Sequence, residues 1–145
     1  MKRISLLCLL VIASITLSSC SINQSKKQVY RIVQENQAFL KECIDEGDYN
    51  RLSQIRGIEN TTVGKEDSFV KCNCGGSGLV PSSSYSGFYY GFYYSPMDIP
   101  LVVDVTKTEN LSSMDGGWGC KEPNGDKSYY TERIMECWYY FESHF

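Results

Sequence analysis

Residues 87–94 read GFYYGFYY, a tetrapeptide of one glycine and three aromatic residues that occurs twice in succession. Aromatic residues favour β-strands, in which successive side chains point to opposite faces of the sheet. A strand here divides its side chains into two sets, Phe88, Tyr90, Phe92 and Tyr94 on one face and Tyr89, Gly91 and Tyr93 on the other. We expect the first set to pack on helices. Tyr89 and Tyr93, which flank a gap at Gly91, are the candidate binding residues, because tyrosines stack on a sugar or a partner side chain.

Other segments outward from this repeat also alternate in hydrophobicity, as strands do. The predicted strands are residues 68–74, 86–94, 101–106, 117–121 and one or two within 129–145. We expect residues 101–106 to form a hairpin with 86–94, because Pro96 suits the second position of a turn. The last segment also fits a helical pattern, but Trp138 and the aromatic residues after it favour strands.

N-terminal to the sheet, residues 27–57 have helical periodicity. One stripe of the helix collects the apolar side chains Val29, Ile32, Val33, Leu40, Cys43 and Ile44. Gly47 supplies a left-handed C-terminal stop, and Asp48 is suited to cap a second, shorter helix that Gly57 ends. A helix pair followed by a curved antiparallel sheet of five or six short strands predicts an α+β domain. The alternative is a small all-β barrel or sandwich with an N-terminal helix.

The first twenty residues, MKRISLLCLLVIASITLSSC, are organised as an export signal. Two basic residues precede an uncharged run, residues 4–17, that is shorter than the roughly 20 apolar residues of a membrane span. The sequence Leu17-Ser18-Ser19-Cys20 resembles the lipobox of bacterial lipoproteins. That resemblance implies cleavage before Cys20, lipidation of its sulfur and an envelope location. The residue after Cys20 is Ser21 and not Asp, which resembles the pattern of lipoproteins that are sent to the outer membrane of Gram-negative bacteria.

These boundaries divide the chain into a signal peptide (1–19), a lipidated N-terminus with a tether (20–27) and one α+β domain (28–145). The mature 126 residues keep all 17 acidic side chains but only 12 of the 14 basic ones, so their charge is −5. An acidic chain without a basic cluster predicts no nucleic-acid partner. We therefore expect membrane attachment through the N-terminal lipid, and a protein or glycan as the partner.

Five cysteines belong to the mature domain: Cys43, Cys72, Cys74, Cys120 and Cys137. In an oxidising compartment disulfides are expected, and an odd number leaves at least one thiol free or paired between chains. A bridge between Cys72 and Cys74 is strained, because they lie two apart on one strand and face the same side. Bridges from this pair to Cys120 or Cys137 are favoured, and the connectivity stays open. A zinc site built from Cys72, Cys74, Cys120 and Cys137, with or without His144, fits poorly, because Cys-Asn-Cys is too short a spacing. No metal or cofactor is predicted.

No catalytic residue is predicted. His144 is the single histidine and lies beside the C-terminus, where an exposed side chain is expected. Acidic residues such as Asp104 and Glu132 are expected on the solvated faces of strands. The function that fits best is a lipid-anchored, non-enzymatic binding module of the cell envelope.

Two resemblances define the alternatives. Residues 39–55, FLKECIDEGDYNRLSQI, look like the opening of cone-shaped proteins of the nuclear transport factor two and SnoaL-like class. That resemblance implies a pocket between helices and sheet, in a small-ligand binder or an enzyme. Residues 86–90, SGFYY, are similar to the Ser-Gly-x-x-Tyr loop of membrane-bound C-type lysozyme inhibitors. This second resemblance implies an inhibitor or immunity protein that presents SGFYY in an exposed loop.

Overall fold

The computed structural model describes residues 24–78, 87–104, 110–121 and 127–144, which form helices packed on an antiparallel sheet. The α+β class is confirmed. The described residues contain seven strands, so the prediction of five or six is wrong. Both additional strands are short and carry mainly polar, exposed side chains, and therefore lack the alternation that marks a half-buried strand.

The strands, in chain order, are β1 Asn60–Val63, β2 Val70–Gly78, β3 Gly87–Tyr94, β4 Ser112–Met114, β5 Gly117–Lys121, β6 Ser128–Met135 and β7 Trp138–His144. Their spatial order is β1-β2-β3-β7-β6-β5-β4, and every pair is antiparallel. The sheet is open, with β1 and β4 at its edges, so these strands do not close into the alternative barrel. The predicted preference for strands in the C-terminal segment is confirmed by the β6–β7 hairpin.

Two α-helices precede the sheet, α1 at residues 24–35 and α2 at Gln37–Glu46. Gly47 ends α2 in the left-handed conformation, with φ of 66°, as predicted. The short second helix of the prediction is a 3-10 helix, Tyr49–Gln54, and the side chain of Asp48 makes no capping hydrogen bond. Because residue 24 is already helical, α1 extends into the segment predicted as tether.

Both faces of the sheet are covered. On one face, the helices pack against a cluster that includes Cys72, Phe92 and Tyr140. On the other face, Tyr93 and Phe141 pack with residues of the segment that follows β3. The repeat of β3 therefore divides its rings between the faces as its alternation predicts.

The predicted hairpin between residues 86–94 and 101–106 is wrong. Residues 101–104 form no strand, and residues 105 and 106 lie outside the described residues. β3 is bordered by β2 on one side and β7 on the other, so it has no free edge for a further strand. The segment is instead fixed across the sheet face by side chains: Leu101 N donates to Tyr93 Oη at 2.9 Å, and Tyr129 Oη donates to Leu101 O at 2.9 Å.

Candidate functional site

The helix-facing side of the β6–β7 hairpin carries a polar arrangement that we call the Tyr–Glu face: Tyr130 and Glu132 on β6, and Tyr140 and Glu142 on β7. The strand register places Tyr130 opposite Glu142 and Glu132 opposite Tyr140. Within each strand the tyrosine donates to the glutamate two residues further on, at 2.5 Å for Tyr130 and 2.9 Å for Tyr140. The two-residue period of a strand makes this contact, since residues i and i+2 share a face.

Helix α1 adds two more hydrogen-bond donors to the Glu132 carboxylate. Lys26 Nζ lies 2.6 Å from Glu132 Oε2, and Tyr30 Oη donates to Glu132 Oε1. Lys26 and Tyr30 are four residues apart and so project from one side of the helix. Glu132 is 6% exposed, and its burial is offset by three hydrogen bonds, of which the one from Lys26 is also an ion pair. The expectation that Glu132 lies on a solvated face is wrong, because α1 covers it.

The environment fixes the charges of this cluster. Burial alone would raise the pKa of Glu132, but the hydrogen bonds from Lys26, Tyr130 and Tyr30 outweigh it, so its pKa lies below the ordinary carboxyl value. Burial, followed by hydrogen bonding to the Glu132 carboxylate, raises the pKa of both Tyr30 and Tyr130. At neutral pH Glu132 is therefore an anion held by neutral phenols.

The ammonium group of Lys26 is enclosed by aromatic rings as well as by the carboxylate. Its Nζ lies 5.7 Å from the ring centroid of Tyr130 and 5.8 Å from that of Tyr140. Both distances fall within the range of cation–π attraction. We call the three surrounding groups, Tyr130, Glu132 and Tyr140, the ammonium cage.

A glycine on β5 makes room for two members of the cage. A Cβ on Gly117 would lie 3.0 Å from Tyr130 Oη and 3.0 Å from Glu132 Cβ, and closer still to the backbone oxygen of Thr131. Contacts that short require the neighbouring groups to shift. The absence of a side chain at Gly117 thus leaves space for the β6 backbone at Thr131 and for the Tyr130 hydroxyl.

From Glu132 on β6 to Glu142 and His144 on β7, the polar side chains become progressively more accessible. The exposed side-chain fraction is 8% for Glu132, 23% for Glu142 and 35% for His144. The prediction that His144 has an exposed side chain at a frayed end is wrong. It belongs to β7, and its ring stacks on Phe88 with centroids 5.7 Å apart. The Tyr–Glu face therefore leads from the buried cage toward solvent.

The two tyrosines predicted to bind ligand lie on the opposite face of the sheet. Tyr93 is fully buried, and its hydroxyl lies 2.9 Å from Thr131 Oγ1 in addition to its contact with Leu101. Tyr89 is half-buried, and its pKa is raised by burial and then by the charge of Asp104. Asp104 is itself buried and accepts a hydrogen bond from Ser143 Oγ. We place no binding site on Tyr93, because the segment that follows β3 packs against its ring and its hydroxyl is engaged by Leu101 and Thr131.

The expected gap between these tyrosines is closed. A Cβ on Gly91 would lie 3.0 Å from the carbonyl carbon of Cys72 and still closer to its oxygen. β2 has a bulge between Asn73 and Gly75, which shifts its register against β3 at this point. The interpretation of Gly91 as a groove is therefore wrong, since the backbone of β2 occupies that space.

Cys43, Cys72, Cys74 and Cys137 are free thiols; the first three and Cys120 are buried, and Cys137 is half-buried. Cys72 on β2 and Cys120 on β5 are separated by three strands and belong to clusters on opposite faces. The fold therefore excludes a bridge between Cys72 and Cys120, and Cys74 and Cys137 are free thiols as well. Burial raises the pKa of Cys72 to about 12, which is typical of an unreactive thiol.

Three further predictions concern a metal site, the SGFYY loop and the N-terminal signal. Among the described residues, no group of three His, Cys, Asp or Glu side chains is arranged to hold a metal ion. Residues 87–90 of SGFYY lie in β3 between two strands, so the predicted exposed loop is wrong; Ser86 is outside the described residues. The signal peptide and Cys20 also lie outside them. No described helix has the length and apolar character needed to cross a bilayer.

Comparisons with protein-family models, with curated proteins and with solved structures find no match to this chain. The candidate site therefore rests on its geometry. A sequence signal for it was nonetheless present: Tyr-x-Glu occurs at 130–132 and again at 140–142, ten residues apart.

The buried phenols predict an alkaline transition. Eight tyrosines have a raised pKa, and for Tyr93 and Tyr139 the value is about 12. A raised folded-state pKa contributes stability that is complete below the unfolded value of about 10 and is lost as pH rises toward the folded value. We expect phenolate absorbance to appear together with loss of circular dichroism. The urea-unfolded chain, as control, should ionise near pH 10. Ionisation of most tyrosines near pH 10 in a chain that stays folded would contradict this.

Proposed function

We propose that this chain is a lipid-anchored protein of the bacterial cell envelope whose domain is a non-enzymatic binding module, with the Tyr–Glu face as its binding surface. The anchor rests on the lipobox at residues 17–20. The described chain is already helical at residue 24, so only a short segment joins the predicted anchor to the domain. Such a protein presents its domain close to the membrane.

The observation that carries the binding role is the surroundings of Glu132, whose buried carboxylate accepts three hydrogen bonds and holds an ammonium group between two tyrosine rings. A general acid or base works best when its pKa lies near the operating pH, and catalytic carboxylates reach such values by having their pKa raised. Glu132 has the opposite property, because its donors lower its pKa. A fixed anion flanked by two aromatic rings suits recognition of a cationic group and not proton transfer.

The two alternatives have less support. The SGFYY segment was the one cue for an inhibitor, and residues 87–90 of it are strand. Residues 39–55 form the junction between α2 and the 3-10 helix, but a helix that ends at a glycine is ordinary capping chemistry. We therefore propose neither inhibition nor catalysis for this domain.

The anchor is tested at Cys20. We expect protein extracted from membranes to begin at Cys20 and to carry a mass increase equal to its acyl groups. The variant C20A should lack this increase and leave the membrane fraction. The variant C8A is the matched control, because Cys8 lies in the segment predicted to be removed. A mature protein that starts elsewhere, or an unacylated Cys20, would exclude the anchor.

A further inference from the structure

We propose that the ammonium cage is a binding site for a lysine side chain of a partner protein, and that Lys26 occupies it in the unbound chain. This inference rests on the proposed binding function and adds to it the chemical class of the ligand. The contacts of Lys26 show the groups that such a lysine would meet: a carboxylate oxygen at 2.6 Å and two tyrosine rings just under 6 Å away.

The cage does not depend on Lys26 for its position. Its three members come from β6 and β7, which lie next to each other within the sheet and are paired along their whole length. Tyr140 also packs on Tyr30 of α1, with ring centroids 6.5 Å apart, and Tyr30 holds the other carboxylate oxygen. Rotation of the Lys26 side chain alone would therefore leave a preformed site.

Lys26 is also the most accessible member of the ion pair. Its side chain is 36% exposed, whereas that of Glu132 is 8% exposed. A long lysine side chain can keep its ammonium group in water by changing rotamer, and an incoming ammonium group restores the charge partner that the Glu132 carboxylate then loses. The buried carboxylate has no such freedom, because it would lose its hydrogen bonds. Exchange at this site consequently means replacement of one ammonium group by another.

The hydrogen bonds of Glu132 select the kind of cation. Tyr30 occupies Oε1, and Tyr130 and Lys26 share Oε2. Withdrawal of Lys26 leaves one phenol donor on each carboxylate oxygen and frees the position at Oε2, which suits a single N–H donor on a compact ammonium group. A guanidinium prefers two free carboxylate oxygens, and a quaternary ammonium has no N–H to donate. A charge of −5 on the mature chain favours encounter with a basic partner.

The test measures binding of Nα-acetyl-lysine methylamide to the full chain by calorimetry and by the NMR shifts of the Tyr130 and Tyr140 rings. K26M removes the internal ammonium while keeping an apolar stem. We expect K26M to bind the probe at least about tenfold more tightly than the wild type, because Lys26 competes intramolecularly. K27M, at the exposed neighbouring lysine, is the matched control and should behave as the wild type. Adding E132Q to K26M should abolish binding.

Absence of binding by folded K26M would overturn the site. Equal binding of the Nε-acetylated probe would overturn recognition of the charge, and tighter binding of phosphoethanolamine would assign the cage to a lipid headgroup. If K26M does not fold, the wild type is titrated to high probe concentration, and unchanged Lys26 side-chain shifts would overturn the proposal. These outcomes are independent of the anchor, since an unacylated Cys20 does not alter the titration.

Discussion

Replacing Gly91 with alanine should cost about 4 kcal/mol or more of folding free energy, although it adds a single methyl group to a strand of large side chains. The methyl group would lie 3.0 Å from the Cys72 carbonyl carbon and closer still to the oxygen. An overpacked side chain relieves such a clash by changing rotamer, but a carbonyl group in the middle of the sheet moves only with its strand. G91A therefore has to separate β2 from β3 or unfold the domain.

The measurement is urea unfolding of G91A beside the wild type and G47A. Gly47 is the appropriate control because its φ is +66° and a Cβ there meets no atom within 4 Å. G47A should therefore lose only about 1 kcal/mol of folding free energy, the cost of a residue other than glycine in the left-handed conformation. A cost for G91A that equals the cost for G47A would show that the β2 backbone yields at this position.

Gly91 also shows which feature of the fold the local sequence does not predict. The alternation of GFYYGFYY correctly predicts which rings of β3 face the helices, because the two-residue period is a local property of any strand. Whether a missing side chain leaves an open groove depends on the neighbouring strand. Here β2 carries a bulge between Asn73 and Gly75, and nothing in residues 87–94 reports it.

The other errors in the fold come from features that lie outside the local sequence pattern. Gly47 was predicted correctly as a helix stop because helix termination is a local property. The hairpin of residues 101–106 failed because β7, which is distant in sequence, takes the free edge of β3. The edge strands β1 and β4 were missed because their side chains are mostly exposed, which removes the alternation on which strand prediction depends.

The candidate site was within reach of the sequence only in part. The repeated Tyr-x-Glu at 130–132 and 140–142 is visible, and the hairpin that pairs the two copies was preferred for this segment. Their cross-strand register, however, depends on a turn of two residues and a bulge between Arg133 and Met135. The remaining donors, Lys26 and Tyr30, come from more than 100 residues earlier in the chain, and Lys26 lies in the segment predicted as a tether.

Removing the carboxylate of Glu132 should have the second largest effect. E132A leaves the hydroxyls of Tyr30 and Tyr130 and the ammonium of Lys26 without their acceptor. Breaking a buried ion pair costs about 3–5 kcal/mol, and we expect the lower end because Lys26 is partly exposed. E132Q retains an acceptor oxygen and should cost about 1–2 kcal/mol. Equal unfolding free energies for E132A and the wild type would show that the cluster does not stabilise the fold.

Folding stability measured at low pH separates the effect of the charge of Glu132 from the effect of its shape. The pKa of Glu132 is lowered in the folded state, so its contribution is complete above the ordinary value of 4.5 and is lost as pH falls through the folded value. Wild-type stability should therefore decline below pH 4.5 more steeply than that of E132Q, which has no group to protonate there. E35Q, at an exposed glutamate of α1, is the control and should follow the wild type. Parallel curves for the wild type and E132Q would mean that Glu132 is not held as an anion, and the cage would then lack the charge with which it attracts an ammonium group.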